Sequence, residues 1–275
     1  MDWKSVKKID AHVHIIPKEN LSWIEGAWKH ADREEYLSLM EEYNIEKAVL
    51  VPINEGATYY PDCSKTNRWL ADMMNSSNGR FISFADVQPS GGYFYDTAPY
   101  FLEQAVNEYG LKGLKLHPSN LGIPIDSLEM VPVIRAACDL KVPIMIHSYP
   151  YGGTDFNLCS PDRIHNISRV FPDGTFIISH MGGSRWQDAL EGREYVDIST
   201  FLPELVRIYG IETSNRILRE FGAERLIFAT DYPQVYRVEP ADIYETYCGI
   251  LNQMDFTDSE VEMIAYGNIA EILKL

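Results

Sequence analysis

The sequence predicts an α/β protein, an eight-stranded (β/α)8 barrel with a functional site at the C-terminal rim of its strands. Three observations predict it. Eight short apolar runs alternate with longer amphipathic stretches. The chain's 275 residues suit eight strand–helix units. Five of the seven histidines fall at the C-terminal ends of the runs, where such a barrel builds its sites.

The eight runs are KKIDAHVHI (7–15), KAVLVPI (47–53), RFISFADV (80–87), LKGLKLH (111–117), VPIMIHS (142–148), TFIISH (175–180), EYVDIST (194–200) and RLIFATD (225–231). Each is rich in Val, Ile, Leu or Phe, and continuous apolar runs of this kind suit strands of a parallel sheet covered on its outer side. Helical patterns fill most gaps. Asp32-Arg33-Glu34-Glu35 resembles a capping box ahead of Tyr36, Leu37, Met40 and Tyr43. A helix over 127–140 starts at Ser127 and carries Val131, Ile134 and Cys138. Thr257-Asp258-Ser259-Glu260 opens the last helix, with Val261, Ile264, Ala265 and Ile272 on one face. The gap over 181–193 is short, so its helix should be stunted. Strands alternating with helices imply right-handed βαβ units, and eight of them at this length favour a closed TIM barrel over an open sheet. No linker, repeat or charge run divides the chain, so 1–275 reads as a single domain.

Composition narrows the function classes. The chain is 45% hydrophobic and 23% charged, ordinary for a soluble globular protein. Its formal net charge of −16 repels phosphate backbones and anionic lipid, which argues against nucleic acid and membranes as partners. Cys63, Cys138, Cys159 and Cys248 are scattered, which predicts reduced packing cysteines and neither a disulfide framework nor a thiolate zinc site. The opening MDWKSVKKID lacks the apolar run of a secretory leader. The expectation is a soluble cytoplasmic protein with a small-molecule substrate, and a homo-oligomer is compatible with the sequence.

Strand geometry makes the first histidine pair informative. Side chains at i and i+2 share a face, so His12 and His14 project together, with Asp10 one step deeper. Two imidazoles held this close suit a divalent metal ion. His147 and Asp231, at the ends of the fifth and eighth runs, would complete a mononuclear site. Catalytic sites of this kind keep a position for water and lower its pKa from about 16 toward 7. Three imidazoles and a carboxylate make one zinc ion per chain the first choice.

Five segments resemble the amidohydrolase superfamily: Asp10-Ala11-His12-Val13-His14, Gly113-Leu114-Lys115-Leu116-His117-Pro118, Ile146-His147-Ser148, Ser179-His180-Met181-Gly182-Gly183 and Thr230-Asp231-Tyr232-Pro233. The nearest pattern is the amidohydrolase-related (amidohydrolase 2) branch, which includes the aminocarboxymuconate semialdehyde decarboxylases. The likeness runs from Asp10 to Gly267-Asn268-Ile269-Ala270. It implies that His12, His14, His147 and Asp231 bind the metal and that His180 acts beside the reacting groups. Asp231 doubles as a proton acceptor, so His180 and Asp231 are the catalytic candidates. Binuclear relatives carry a carboxylated lysine on the fourth strand, a role open to Lys115, although the Lys115-Leu116-His117-Pro118 pattern is usual in mononuclear members.

His117, Lys115, Arg185 and Trp186 are the substrate-binding candidates, charge and stacking suiting a planar anion. His30 and His165 read as surface and structural histidines, and Asn268 as a backbone clamp near the rim. Trp23, Trp28, Tyr59 and Tyr60 are candidates for a lid or a subunit contact. Three readings follow. The first is a hydrolase of an amide, ester or lactone. The second is a non-oxidative decarboxylase with the same ligands. The third is a metal-stabilised binding protein, disfavoured because structural metal sites are usually closed.

Overall fold

The computed structural model describes residues 1–54, 59–89, 97–149 and 158–275. Its strands are β1 (Lys8–Val13), β2 (Ile45–Leu50), β3 (Phe81–Ser83), β4 (Leu114–Leu116), β5 (Ile144–Ile146), β6 (Phe176–Ile178), β7 (Tyr195–Asp197) and β8 (Leu226–Ile227), with helices between them. The chain divides into two compact units, one of Met1–Leu50 with Asp197–Leu275 and the other of Val51–Val196.

In the first unit β1 pairs in parallel with β2. The backbone past β8 runs beside β1: Ala11 N–H donates to the Phe228 carbonyl, Asp231 N–H to that of His12 and His14 N–H to that of Tyr232. Every residue of β1 is buried. Asp10 fastens this seam. Its carboxylate accepts from the backbone of His12 and Thr230 (both 3.1 Å), the Thr230 hydroxyl (2.5 Å) and the Tyr244 hydroxyl (2.6 Å). Burial pushes the Asp10 carboxyl up to about 7, against these hydrogen bonds.

Helix Arg33–Glu42 begins as the sequence indicated, with Asp32 capping the Glu34 and Glu35 amides. A reciprocal capping box forms instead at Thr257 and Glu260. The last helix departs from its predicted face. A π-helical turn, Met263–Gly267, adds a residue to the winding, so Ile269 and Leu273 are buried while Ile272 is only partly so. Asn268 does clamp backbone, but at the start of β8: its amide donates to the Ala223 and Leu226 carbonyls, both at 2.7 Å.

In the second unit β4, β5, β6 and β7 pair in parallel, and Ala85 bridges to Leu114 beyond β3. The apolar triplets of β4, β5 and β6 are buried throughout, as unbroken apolar runs require. Helix Val131–Asp139 starts later than the Ser127 expected, because Pro132 suits the first helical turn and Ser127–Met130 closes as a bend before it. The helix after β6 is indeed stunted, a five-residue Trp186–Leu190.

His165 is structural, as its helical setting indicated. Its Nδ1 lies 2.8 Å from Glu194 Oε2, and its Nε2 lies 2.7 Å from the Asp188 carbonyl. Acceptors on both sides favour the charged form of the ring. Burial opposes that charge, but Glu194 and the carbonyl outweigh it and raise the His165 pKa. Burial likewise opposes the Glu194 charge, yet His165 and the Ser168 hydroxyl draw its pKa down to about 2. Gly192 makes room for the pair, since a Cβ there would lie 2.0 Å from both partners.

The histidine contribution to stability is whole below its ordinary 6.5 and fades as pH climbs through the raised value. The glutamate contribution is whole above its ordinary 4.5 and fades as pH falls toward about 2. Glu194→Gln should therefore cost most between those two ordinary values, roughly 3 kcal/mol for a broken buried pair. Melting curves across pH test this, and a deficit that grows in alkali would contradict it.

Among the described residues no helix is long and apolar enough to cross a membrane. Cys63, Cys159 and Cys248 are buried and Cys138 is half-buried, and none of the four is in a disulfide, matching the packing role expected of them.

Candidate active site

The strands are shorter than the apolar runs, and most candidate residues sit one to four positions past the last paired residue. There the regular pairing ends, although the His14, His147 and Asp231 amides still donate to the backbone of a neighbouring strand end. In the first unit, His12 lies within β1 and His14 just beyond it. Their rings meet edge-on at 5.1 Å, the shared face expected from strand alternation. Asp231 stands against both. Its Oδ1 lies 3.3 Å from His12 Nε2 and 2.9 Å from His14 Nε2. His12 and His14 are 1% and 3% exposed, and Asp231 13%.

Three donors thus converge on a small buried volume. Ligands about 2.0–2.1 Å from a tetrahedral ion lie roughly 3.3 Å from one another. The two spacings observed are close to that, and two imidazole nitrogens with a carboxylate oxygen suit a divalent ion of borderline hardness. The residues of this unit fit the metal that the sequence implies.

Three further groups were not singled out from the sequence. Asp197, at the end of β7, sets its Oδ2 3.1 Å from His12 Nδ1. The Ser199 amide donates to the other Asp197 oxygen at 3.1 Å, and the Ser199 hydroxyl donates there too. Thr200 donates its hydroxyl to Asp231 Oδ2 at 2.5 Å. The rule that found the histidines, a polar residue ending a strand, applies equally to Asp197 and was the available signal. Of the lid candidates, Trp28 tilts over His14 at 5.2 Å between ring centres, and Trp23 is 57% exposed.

In the second unit, His117, His147 and His180 come together. His117 and His147 stack at 3.7 Å, and His180 Nε2 lies 3.0 Å from His147 Nδ1, so one of the two nitrogens carries the shared proton. His117 also caps a short helical turn, its Nδ1 accepting from the Asn120 amide at 3.3 Å. Its own amide donates to Asn54 Oδ1 at 2.6 Å, and Asn54 in turn donates to the buried Asp86. Burial pushes the Asp86 carboxyl up to about 7.

His180 is 2% exposed and holds a left-handed backbone, φ 58°, followed by Met181, Gly182 and Gly183 also at positive φ. The glycines permit close approach: a Cβ on Gly182 would lie 2.6 Å from Pro161 Cγ. Lys115 is 1% exposed with its Nζ 3.4 Å from the Ser179 hydroxyl. Arg185 pairs with Asp188 and lies 3.6 Å from Asp162. Trp186 is buried at the start of its short helix. Tyr59 belongs to the core, not to a lid: it is 2% exposed, and its hydroxyl donates to the Val51 carbonyl at 3.1 Å.

Comparison with known proteins agrees with this arrangement of strands. Three solved structures are similar over nearly the whole chain. One is an uncharacterized TIM-barrel protein from Bordetella bronchiseptica, at TM-score 0.74 and 16% identity, covering 98% of this chain and 99% of that one. Another is a dihydroxybenzoic acid decarboxylase from Polaromonas with bound manganese and the inhibitor 2-nitroresorcinol. It matches at TM-score 0.70 and 16% identity, covering 98% and 97%. The third is a probable 2-pyrone-4,6-dicarboxylic acid hydrolase from Acinetobacter baumannii, at TM-score 0.68 and 15% identity, covering 98% and 100%. These likenesses show the fold, a (β/α)8 TIM barrel. None of the curated proteins matches. The amidohydrolase family model matches residues 9–275, and that family is metal-dependent. The chain belongs to the amidohydrolase family.

Proposed function

We propose that the chain is a metal-dependent hydrolase that opens an amide, ester or lactone of a small anionic molecule, with residues 1–275 acting as one catalytic domain. The observation that carries this reading is the convergence of His12 Nε2 and His14 Nε2 on one oxygen of Asp231. With His147, these residues are the proposed ligands of a single divalent ion, zinc being the first choice for three imidazoles and a carboxylate. When bound, the ion supplies Lewis acidity toward a carbonyl oxygen and lowers the pKa of water.

The remaining chemistry falls to the chain's own groups. Asp231 accepts the proton lost by the attacking water through Oδ2, the oxygen not directed at the histidines, whose second lone pair the Thr200 hydroxyl leaves open. His180, held by its hydrogen bond to His147 and shielded from bulk water, returns a proton to the leaving group. Lys115, His117, Arg185 and Trp186 are the proposed substrate contacts, the cations for negative charge and the indole for a planar face.

The manganese-bearing decarboxylase among the similar structures favours a second reading. The same ligands would then support loss of carbon dioxide from an aromatic or unsaturated acid. Metal-loaded protein offered 2-pyrone-4,6-dicarboxylate and, separately, dihydroxybenzoates distinguishes the two. The expected result is ring opening that consumes base without gas. Carbon dioxide release would replace the hydrolase reading with the decarboxylase. Turnover of neither, with metal bound, would favour the binding protein.

Elemental analysis should find one metal ion per chain. Two would indicate the form bridged by a carboxylated Lys115, and none after loading would remove the metal assignment. Reconstitution with zinc or manganese should give the higher rate with zinc.

A further inference from the structure

We propose that the segment Asp197-Ile198-Ser199-Thr200, leaving β7, orients the metal ligands of the first unit: Asp197 fixes the tautomer of His12, and Thr200 fixes the carboxylate of Asp231. This rests on the reading of His12 and Asp231 as ligands.

Asp197 is fully buried, and His12 is 1% exposed. A neutral imidazole has one proton and two nitrogens that can carry it. Here both nitrogens face carboxylates, Nδ1 that of Asp197 at 3.1 Å and Nε2 that of Asp231 at 3.3 Å. A proton can therefore sit on either nitrogen or on both, and only an unprotonated Nε2 can hold a metal. If it sits on Nε2, the ring donates to Asp231 and has no electron pair for a metal. If it sits on Nδ1, the pair on Nε2 points toward Asp231 and His14, where a metal would be held. Asp231 Oδ1 lies at 3.3 Å and is shared with His14 Nε2, whereas Asp197 lies closer at 3.1 Å and so favours the Nδ1 proton. Its other oxygen is clamped by the Ser199 amide and hydroxyl, so its Oδ2 has a set direction. Second-sphere acceptors of this kind set which ring nitrogen can ligate.

Thr200 performs the matching task on the carboxylate. Its hydroxyl holds Asp231 Oδ2 at 2.5 Å, which turns Oδ1 toward the two histidines. The position is costly. Thr200 sits at φ 53°, a strained backbone for a β-branched residue. A residue serving only to cap the following helix would have no need of it, and the Thr200 side chain makes no capping hydrogen bond there. One four-residue stretch thus orients two ligands that lie on two other strands.

The role predicts a particular response to Asp197→Asn. The Ser199 amide requires an acceptor, so the new carboxamide oxygen takes the Oδ1 place and its NH2 faces His12 Nδ1. The Ser199 hydroxyl, 3.4 Å from Nδ1, is engaged with residue 197, so the ring facing the new NH2 is expected to accept at Nδ1 and carry its proton on Nε2. Long-range 1H–15N correlation of the metal-free protein, at a pH high enough to leave one proton on His12, should show that proton on Nδ1 in the wild type and on Nε2 in the variant. Chelator competition with Zn2+ and with Mn2+ should show the dissociation constant weakened roughly 10–100-fold by Asp197→Asn and by Thr200→Val, the range usual for second-sphere partners. Thr200→Ser, which keeps the hydroxyl, should bind within a few-fold of wild type.

A merely structural segment would lower the melting temperature of all three variants and leave affinity per folded molecule unchanged. That outcome overturns the proposal, as does an unaltered His12 tautomer in Asp197→Asn. Failure of the wild type itself to bind either ion overturns the ligand reading beneath it, and so separates the two.

Discussion

His180→Asn is expected to keep the metal and the fold while lowering kcat by roughly 10²–10⁴-fold, the usual range for a positioned acid or base. His180 occupies a left-handed backbone at φ 58°. Asparagine tolerates that region better than most residues, so misfolding should not confound the experiment. The carboxamide reaches the place of the ring's Nδ1 and not of Nε2, so the bond to His147 Nδ1 is given up while the backbone conformation is kept. What it cannot do is carry a proton reversibly near neutral pH. The loss should fall on kcat, with KM little changed, because an acid or base acts in the transition state and not in ground-state binding. Metal content falling together with rate would make His180 a ligand. An unchanged kcat would remove it from the mechanism.

The histidine positions were legible because they follow a local rule. A short apolar run ends, a polar residue stands at its end, and in a barrel of parallel strands that place is the rim. His12 and His14 needed only the period of two along one strand. The glycines after His180 were legible for a similar reason, since two together mark a close approach of backbone. Asp197 and Thr200 were not singled out, although Asp197 lies in a run that was recognised. Their roles depend on partners remote in sequence, with Asp197 and His12 separated by 185 positions. Nothing in EYVDIST says which strand lies alongside.

The fold shows the same division. Apolar runs located all eight strands but overestimated their lengths. A run records burial, whereas a strand needs a neighbour's hydrogen bonds at each residue, and side chains take over some of those bonds at the ends. His117 illustrates this: its amide turns to Asn54 Oδ1. The π turn at Met263–Gly267 had no signature in the apolar pattern, and it moved the predicted face by one residue. The buried Glu194 beside His165 likewise required knowing that a helix and a strand end meet.

Asp231→Asn carries the other large expected effect, and here binding and catalysis should fail together while the metal-free fold survives. Asp231 also has a positive φ, 66°, which asparagine accommodates. The Thr200 hydroxyl donates to Oδ2 in the wild type. In the variant the carboxamide oxygen is expected to take that place, directing its NH2 at His12 Nε2 and His14 Nε2. Those nitrogens then accept from an amide instead of meeting a metal, and the negative charge of the site is gone. Melting of the metal-free variant should lie within about 1 kcal/mol of wild type, since each polar atom keeps a partner. The metal-dependent gain should vanish. At an ion concentration 100 times its dissociation constant the wild type gains about 2.7 kcal/mol, and a variant that no longer binds gains nothing. Turnover should drop by at least 10³-fold, because loss of the proton acceptor adds to loss of the ion. Melting with and without metal, metal content and kcat measured on one preparation decide the matter. Full metal-dependent stabilisation with a reduced rate would confine Asp231 to proton transfer, and full turnover would exclude it from the site altogether.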